Sequence, residues 1–288
     1  MLHIIEQFKN AMFDAGITPP DAIIADGRLH RFKIDGKLNG AYVLHTDGHA
    51  AGYFEDYKQG IKQNWKLDGT FAPLTDAEKK AFAIERKKQA LAREAEEKAR
   101  HETAIKKAAS IWAKAIQAIN HPYLAKKNVK AHTTRVYGGA LVVPLYDASG
   151  LLVSLQFIGD DGTKRMMKDG KAQGSCCFIG SEHVELNRHD IILICEGWAT
   201  GASLFEATGY FTIAAFSAGN LTAVAIQIRK QHPDNEIIIC GDNDVSGVGQ
   251  QAANDAALAI NGRYVVPPET GDFNDYSVAL QGVAHGAK

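Results

Sequence analysis

Two stretches of this chain place acid where burial makes it expensive. "LICEGWATGASLFEATG" (193–209) runs from an apolar segment straight into Glu196, and "IIICGDNDVSGVGQQAA" (237–253) does the same into Asp242 and Asp244. A third stretch, "TGDFNDYSVAL" (270–280), adds Asp272 and Asp275 just after "RYVV". Close carboxylates repel one another and cannot all stay ionised unless a cation joins them. A donor set of oxygens, with no His or Cys, favours Mg²⁺ or Mn²⁺. An isolated D-x-D is a weak signal, usually a turn. An acid after one strand, a D-x-D after another and a D-x-x-D after the next make a much stronger one.

The elements that must position these acids are legible around them. "IILIC" (191–195), "FTIAAF" (211–216), "EIIIC" (236–240) and "RYVV" (263–266) are near-continuous apolar runs, as parallel strands buried on both faces require. Helix-length segments separate them and close at Gly209 and Gly262. Helical crossovers between parallel strands are right-handed, so the strand C-termini share one edge, and open α/β sheets bind ligands at that edge. Glu196, Asp242 and Asp244 therefore converge on one mouth, with Asp272 and Asp275 offered to the same edge.

Upstream, residues 1–13 read as a short amphipathic helix, and residues 20–72 as a small, mostly antiparallel β unit with turn signals at Gly36, Asn39–Gly40 and Asp47–Gly48. Its aromatics Tyr42, Tyr53, Phe54, Tyr57 and Trp65 could stack on bases, although most such residues are core. From Thr75 a run without Gly or Pro, dense in Ala, Glu, Lys and Arg, predicts one helix of roughly 40 residues, about 60 Å long. Thr75 and Glu78 have capping-box spacing. A charged helix of this length reads as a linker. "ALVVPLYD" and "LLVSLQFI" predict a hairpin around Ser149–Gly150, and "TKRMM" a further strand.

Net charge is −1, but it is unevenly spread: residues 1–74 carry 8 Lys/Arg against 9 Asp/Glu, residues 75–180 carry 19 against 11, and residues 181–288 carry 5 against 13. Lys126, Lys127, Lys130, Arg135, Lys164, Arg165, Lys168 and Lys171 cluster around one small β unit with few acids among them, as a phosphate-binding surface would. No stretch approaches the roughly 20 apolar residues of a membrane span, and "MLHIIEQFKN" has no signal-peptide pattern. The expected location is the cytoplasm. The cysteines Cys176, Cys177, Cys195 and Cys240 form no C-x-x-C pair, so they read as reduced core thiols and no zinc ribbon is present.

At "CEGWATGAS", "GDNDVSG" and "GDFND" the sequence resembles the Toprim domain of bacterial-type primases, topoisomerases and related nucleases. "HPYLAKKNVKAHTTR", "GALVVPLYD" and "DGTKRMM" look like the basic subdomain that precedes Toprim in primases, and "GRLHRFKIDGKLNGAYVLHTDGHAAGYF" is similar to the N-terminal region of primase-like proteins of plasmids and prophages. The fold implied is α/β: a small mostly-β α+β domain at 1–74, a charged linker helix at 75–110, a basic template-binding subdomain at 111–187 and a Toprim-like parallel sheet, helices on both faces, at 188–288. The resemblance makes Glu196, Asp242 and Asp244 catalytic and metal-binding, with Asp272 and Asp275 supporting. Lys126, Lys127, Arg135, Lys164, Arg165 and Lys168 would hold nucleic acid or nucleotide.

The activity implied is primer synthesis on single-stranded DNA from nucleoside triphosphates, with Mg²⁺ or Mn²⁺. Three features depart from the family. Thr200 stands where an acid is usual four residues after the Glu. The N-terminal zinc ribbon is absent. No G-x-x-x-x-G-K-[ST] motif occurs, so a replicative helicase would be another chain. Two alternatives use the same residues: a Toprim nuclease, with water as nucleophile, and a non-catalytic single-strand-binding replication module. A topoisomerase would need a separate DNA-breaking domain with a nucleophilic Tyr, for which the chain is too short.

Overall fold

The structure, a computed structural model, describes residues 2–46, 50–67, 75–180, 187 and 190–286. The chain divides into two compact units, residues 1–94 and 95–288.

The first unit opens with helix α1 (Leu2–Asp14), followed by strands β1 (His30–Ile34), β2 (Lys37–His45), β3 (Ala51–Asp56) and β4 (Ile61–Lys66), an antiparallel sheet in chain order. Asp35 and Gly36 turn the first hairpin with φ of 51° and 76°, the two left-handed residues that a two-residue loop needs to match strand twist. Asn39–Gly40, expected as a turn, lies inside β2 instead. Gly40 sits opposite Phe32, whose ring comes within 2.4 Å of where a Cβ would be, so glycine serves packing here. Asp47–Gly48 lies outside the described residues. Phe8 and Met12 of α1 pack on Phe32, Tyr42, Leu44, Phe54 and Trp65; each large apolar side chain so buried contributes about 1.5–3 kcal/mol.

Helix α2 (Asp76–Lys114) is 39 residues long and starts one residue after Thr75; the Glu78 side chain lies outside the described residues. Ile84 and Leu91, earlier in the helix, are exposed. Its end is different. Ala104, Ala108, Ile111 and Trp112, at i, i+4, i+7 and i+8, share one face and pack on Val142, Leu155 and Met167.

The second unit continues with β5 (Ile116–Gln117), α3 (Pro122–Lys127), β6 (Arg135–Tyr137), β7 (Ala140–Tyr146), β8 (Leu152–Ile158) and β9 (Lys164–Met166), an antiparallel sheet in chain order. Next come β10 (Cys177–Ile179), β11 (Ile191–Cys195), α4 (Trp198–Thr208), β12 (Phe211–Ala214), α5 (Ala218–Gln231), β13 (Glu236–Cys240), α6 (Val248–Ala259), β14 (Arg263–Val265) and α7 (Phe273–Gly286). Their sheet has the order β10-β12-β11-β13-β14. The four runs read from the sequence are parallel to one another, and β10 adds an antiparallel edge beside β12.

Strand alternation sorts this sheet's side chains. Ile192, Ile194, Ile237 and Ile239 meet Leu221, Val224 and Ile228 of α5 and Ala253, Ala256 and Ala257 of α6. Leu193, Cys195 and Cys240 turn the other way, onto Trp198, Ala199 and Ala202 of α4 and onto Tyr123, Leu141 and Val143. The antiparallel and parallel sheets thus share one core, stitched also by reciprocal backbone bonds between Tyr146 and Cys176, at 2.8 and 2.9 Å. All four cysteines are buried and none is in a disulfide. Among the described residues no helix is long and apolar enough to cross a membrane.

Candidate active site

The central strand β11 pairs with β12 on one side and β13 on the other. The chain leaves β11 toward β12 and returns to the far side as β13, so the crevice beyond the ends of β11 and β13 is the switch point where such sheets bind ligands. Cys195 and Cys240 are register partners, and Glu196 and Gly241–Asp242 follow them directly. The expected mouth exists, and it holds acid.

The carboxylates in it are not alike. Glu196 is half-buried: burial raises its pKa, against the N–H of Ala218 at the start of α5 and the charge of Lys164, while Asp244 and Asp272 push upward too. Asp242 is displaced further, to about 7, by burial first and then by Glu196 and Asp272, with Lys164 opposing. Its Oδ1 is buried and has no hydrogen-bond partner, an arrangement that costs stability unless something else fills it.

Asp244 behaves in the opposite way. Its oxygens accept from Ser246 Oγ at 2.5 Å, Gly249 N at 2.8 Å and Val248 N at 3.3 Å, and these donors hold its pKa below the usual carboxylate value. It thereby caps the first turn of α6, an orientation the helix dipole favours. Gly249 makes the approach possible, since a Cβ there would fall 2.6 Å from Asp242 O and 2.9 Å from Asp244 Oδ2.

The D-x-x-D pair is a reciprocal helix cap. Asp272 Oδ1 accepts from Asp275 N at 2.9 Å and Asp275 Oδ2 from Asp272 N at 3.4 Å. The two then part company. The charge of Asp272 is felt at Glu196 and Asp242, whereas Asp275 pairs with Lys127 Nζ at 3.2 Å. Thr200, where an acid is expected from the resemblance, is buried.

The basic candidates separate as well. Lys164 pairs with Ile158 and Arg165 with Phe157 across β8–β9. Ile158 belongs to the core shared with the parallel sheet and Phe157 to the cluster under α2. Alternation therefore sends Lys164 toward the acids and Arg165 to the opposite face. Arg135 donates to Trp112 O at 2.7 Å and stacks on the Trp112 ring at 4.3 Å, tying α2 to the sheet. Lys126 and Lys168 are exposed.

Two residues that sequence reasoning passed over belong here. Asn243, between the two acids, donates from Nδ2 to Pro267 O and Glu269 O, while Gln250 donates to its Oδ1 at 2.7 Å. Tyr123, buried on α3 with an unpartnered hydroxyl, has its phenol pushed up to about 12 by burial and by the charge of Asp272. The only signal for it was its place beside Lys126 and Lys127 in "HPYLAKK".

A family model for the Toprim domain matches residues 191–281, the span that carries every acid of this mouth. The parallel sheet of the second unit thus matches the Toprim domain. The chain is also similar to two Escherichia coli proteins named DNA primase TraC. It is 34% identical to one over 281 residues and to the other over 282, each alignment taking in 91% of this chain. It spans 26% of the first and 19% of the second, about a quarter and a fifth of their lengths. Among solved structures, the primase fragment of the bacteriophage T7 primase-helicase superposes with a TM-score of 0.44 and 15% identity, covering 57% of this chain and 71% of that one.

Among the described residues no three His, Cys, Asp or Glu side chains form a ready-made metal cage. The Toprim mouth still fits a divalent ion chemically. It offers only oxygen donors, one of them buried and unpartnered, and the neighbouring carboxylates push up the pKa of both Glu196 and Asp242.

Proposed function

We propose that this chain is a DNA primase-like nucleotidyltransferase that makes short primers on single-stranded DNA, in the cytoplasm, during plasmid or phage replication. The observation that carries the reading is Asp242: a carboxylate with a buried orphan oxygen and a pKa near 7, at the switch point of a Toprim sheet beside Glu196. The similarity to the TraC primases supports the choice of primer synthesis over other Toprim chemistry.

Glu196, Asp242 and Asp244 would hold Mg²⁺ or Mn²⁺, with Asp272 adding negative charge behind them. Bound there, the ion would neutralise these acids, engage the incoming nucleotide's phosphates and help lower the pKa of an attacking 3′-hydroxyl. The chain's own groups do the positioning. Lys164, projecting from β9 toward the acids, takes a phosphate of the triphosphate or template. Asp244, locked by three donors, keeps its orientation without reorganising. Asp275 and Lys127 fix the start of α7 against α3, and so the place of Asp272. The Lys126 and Lys168 ammoniums add sequence-independent attraction for the backbone of the template.

The test is a primer-synthesis assay on single-stranded template with labelled nucleoside triphosphates, with and without Mg²⁺ or Mn²⁺. Metal-dependent oligonucleotide products support the reading. Strand cleavage without nucleotides would assign the site to a nuclease, and template binding without either reaction to a non-catalytic module.

A further inference from the structure

The sheet of the first unit has two faces of different chemistry. One carries α1 and the apolar core. On the other, strand register lines up Arg31, Ala41, Glu55 and Lys62 in one row across the sheet, and Val43, Tyr53 and Asn64 in the next. Tyr57, in the turn just after β3, reaches the same side, where its phenol bonds to Glu55. Tyr57 is 52% exposed. The Arg31 guanidinium lies 4.4 Å over the Tyr57 ring, and Lys62 Nζ 5.5 Å over that of Tyr53.

We propose that this open face binds single-stranded DNA, with Tyr53 and the stacked Tyr57–Arg31 pair taking unpaired bases and Lys33, Lys62 and Lys66 meeting phosphates. Aromatic rings and Arg planes on an exposed antiparallel sheet are a general means of holding unpaired bases. The charge agrees. The strands of this face present Arg31, Lys33, Lys62 and Lys66 against one acid, Glu55.

Glu55 is committed to holding the rings. Tyr53 and Tyr57 both hydrogen-bond to it. Burial raises its pKa, but those bonds and the charges of Lys62 and Arg31 outweigh burial and leave it below the usual value. Both phenols are shifted upward, Tyr53 by burial first and Tyr57 by its bond to Glu55 first, so they stay protonated donors. The rings are therefore oriented before any base arrives, which lowers the ordering cost of binding. Tyr53 stands in β3 and Tyr57 in the turn just after it, so the two rings are separate stacking surfaces joined through Glu55. A protein partner fits less well, because the core of a protein interface is depleted of charge and the aliphatic residues in these two rows are Ala41 and Val43, beneath the cations.

The choice of DNA over RNA rests on the proposed primase reading; the stacking face itself does not. The experiment uses the full chain in EDTA without nucleotides, so catalysis does not contribute. A short oligothymidylate carrying iodinated uracil is photocrosslinked and the adducts mapped, and its Kd is measured by anisotropy. Crosslinks are expected at Tyr53 or Tyr57. The Arg31→Ala/Tyr57→Ala double variant should bind tenfold or more weakly, the scale of one lost stacking contact. Tyr57→Phe, which keeps the ring but loses the bond to Glu55 that orients it, should bind more weakly than the parent and more tightly than the double variant. Circular dichroism checks that each variant is folded.

Adducts confined to residues 95–288, a double variant binding within twofold of the parent, or a duplex that competes as well as the single strand would each overturn the platform. Oligouridylate competing better than oligothymidylate would overturn the DNA assignment. A chain that makes no primer yet crosslinks at these tyrosines would sink the primase reading and leave the platform standing.

Discussion

Asn243 and Gly271 exchange two backbone hydrogen bonds, at 2.9 and 3.0 Å, and this bridge fastens the loop of Asp242 and Asp244 to the loop that begins α7 with Asp272. The Asn243 side chain reinforces it through Pro267, Glu269 and Gln250. Asn243→Ala removes three side-chain hydrogen bonds at a half-buried site, a loss of about 1–3 kcal/mol. Chemical denaturation should show that loss. Primer synthesis should fall further than the unfolded fraction explains, because the bridge that holds Asp272 against the D-x-D loop has lost its side-chain reinforcement. Normal rates in a folded but destabilised variant would make Asn243 scaffold alone.

Asp242 and Asp244 should respond differently to the same substitution. Both Asp→Asn variants should lose turnover by about 10²-fold or more, the scale of several kcal/mol of transition-state charge stabilisation. Their stabilities in EDTA should diverge. Asp242→Asn removes a charge that burial and its neighbours oppose, so the variant should melt at or above the parent. Asp244→Asn discards an anion held by Ser246 Oγ and the Val248 and Gly249 amides, so it should melt lower, by a capping loss of about 0.5–2 kcal/mol. Parallel shifts in the two melts would contradict the assignment of separate roles.

The sign of the pH dependence follows from Asp242. Its folded pKa of about 7 lies above the ordinary 3.8, so between those values the folded chain keeps a proton that the unfolded chain has released. Stability from this group therefore falls as pH rises through that window. Asp244 works the other way: its lowered pKa contributes stability above the ordinary value that is lost as pH drops through it. In metal-free buffer Asp242→Asn should gain on the parent as pH rises from 5 to 8, by about 1–2 kcal/mol once solvent screening of a partly exposed group is allowed for. Urea melts at the two ends of that range check this. An unchanged gap would mean Asp242 ionises normally.

What the sequence disclosed, and what it withheld, divides along physical lines. Parallel strands buried on both faces leave continuous apolar runs, so "IILIC" and "EIIIC" announced the sheet and the acids behind them announced the mouth. The short edge strand β10 left no comparable run. The Asn39–Gly40 dipeptide reads as a turn by local chemistry, but tertiary packing of Phe32 against Gly40 overrode it. The "GDFND" acids looked equivalent, yet the cap of α7 sends one to the mouth and the other to Lys127, a partner 148 residues away. Arg135 counted as one more cation until the fold brought Trp112 beneath it.

Lys164 and Arg165 give the most discriminating test, because they are adjacent in sequence and separated only by strand alternation. Counting charges treats them alike. Register does not: Lys164 shares its face with Ile158, toward the acids, and its charge reaches Glu196 and Asp242, whereas Arg165 shares its face with Phe157, over α2. Lys164→Ala should reduce primer synthesis by roughly 10- to 10²-fold, the scale of losing one charged hydrogen bond to a phosphate. It should also weaken the salt dependence of template binding by about 0.7 log unit per lost contact. Arg165→Ala should leave turnover within about threefold of the parent. With Lys164 gone, a cation that restrained the pKa of Asp242 is gone too, so that carboxylate should titrate higher still, visible as a shift in the pH profile of metal-free stability. If Arg165→Ala is as damaging as Lys164→Ala, the template crosses the α2 face of the antiparallel sheet, and the mouth at the parallel sheet is not where synthesis occurs.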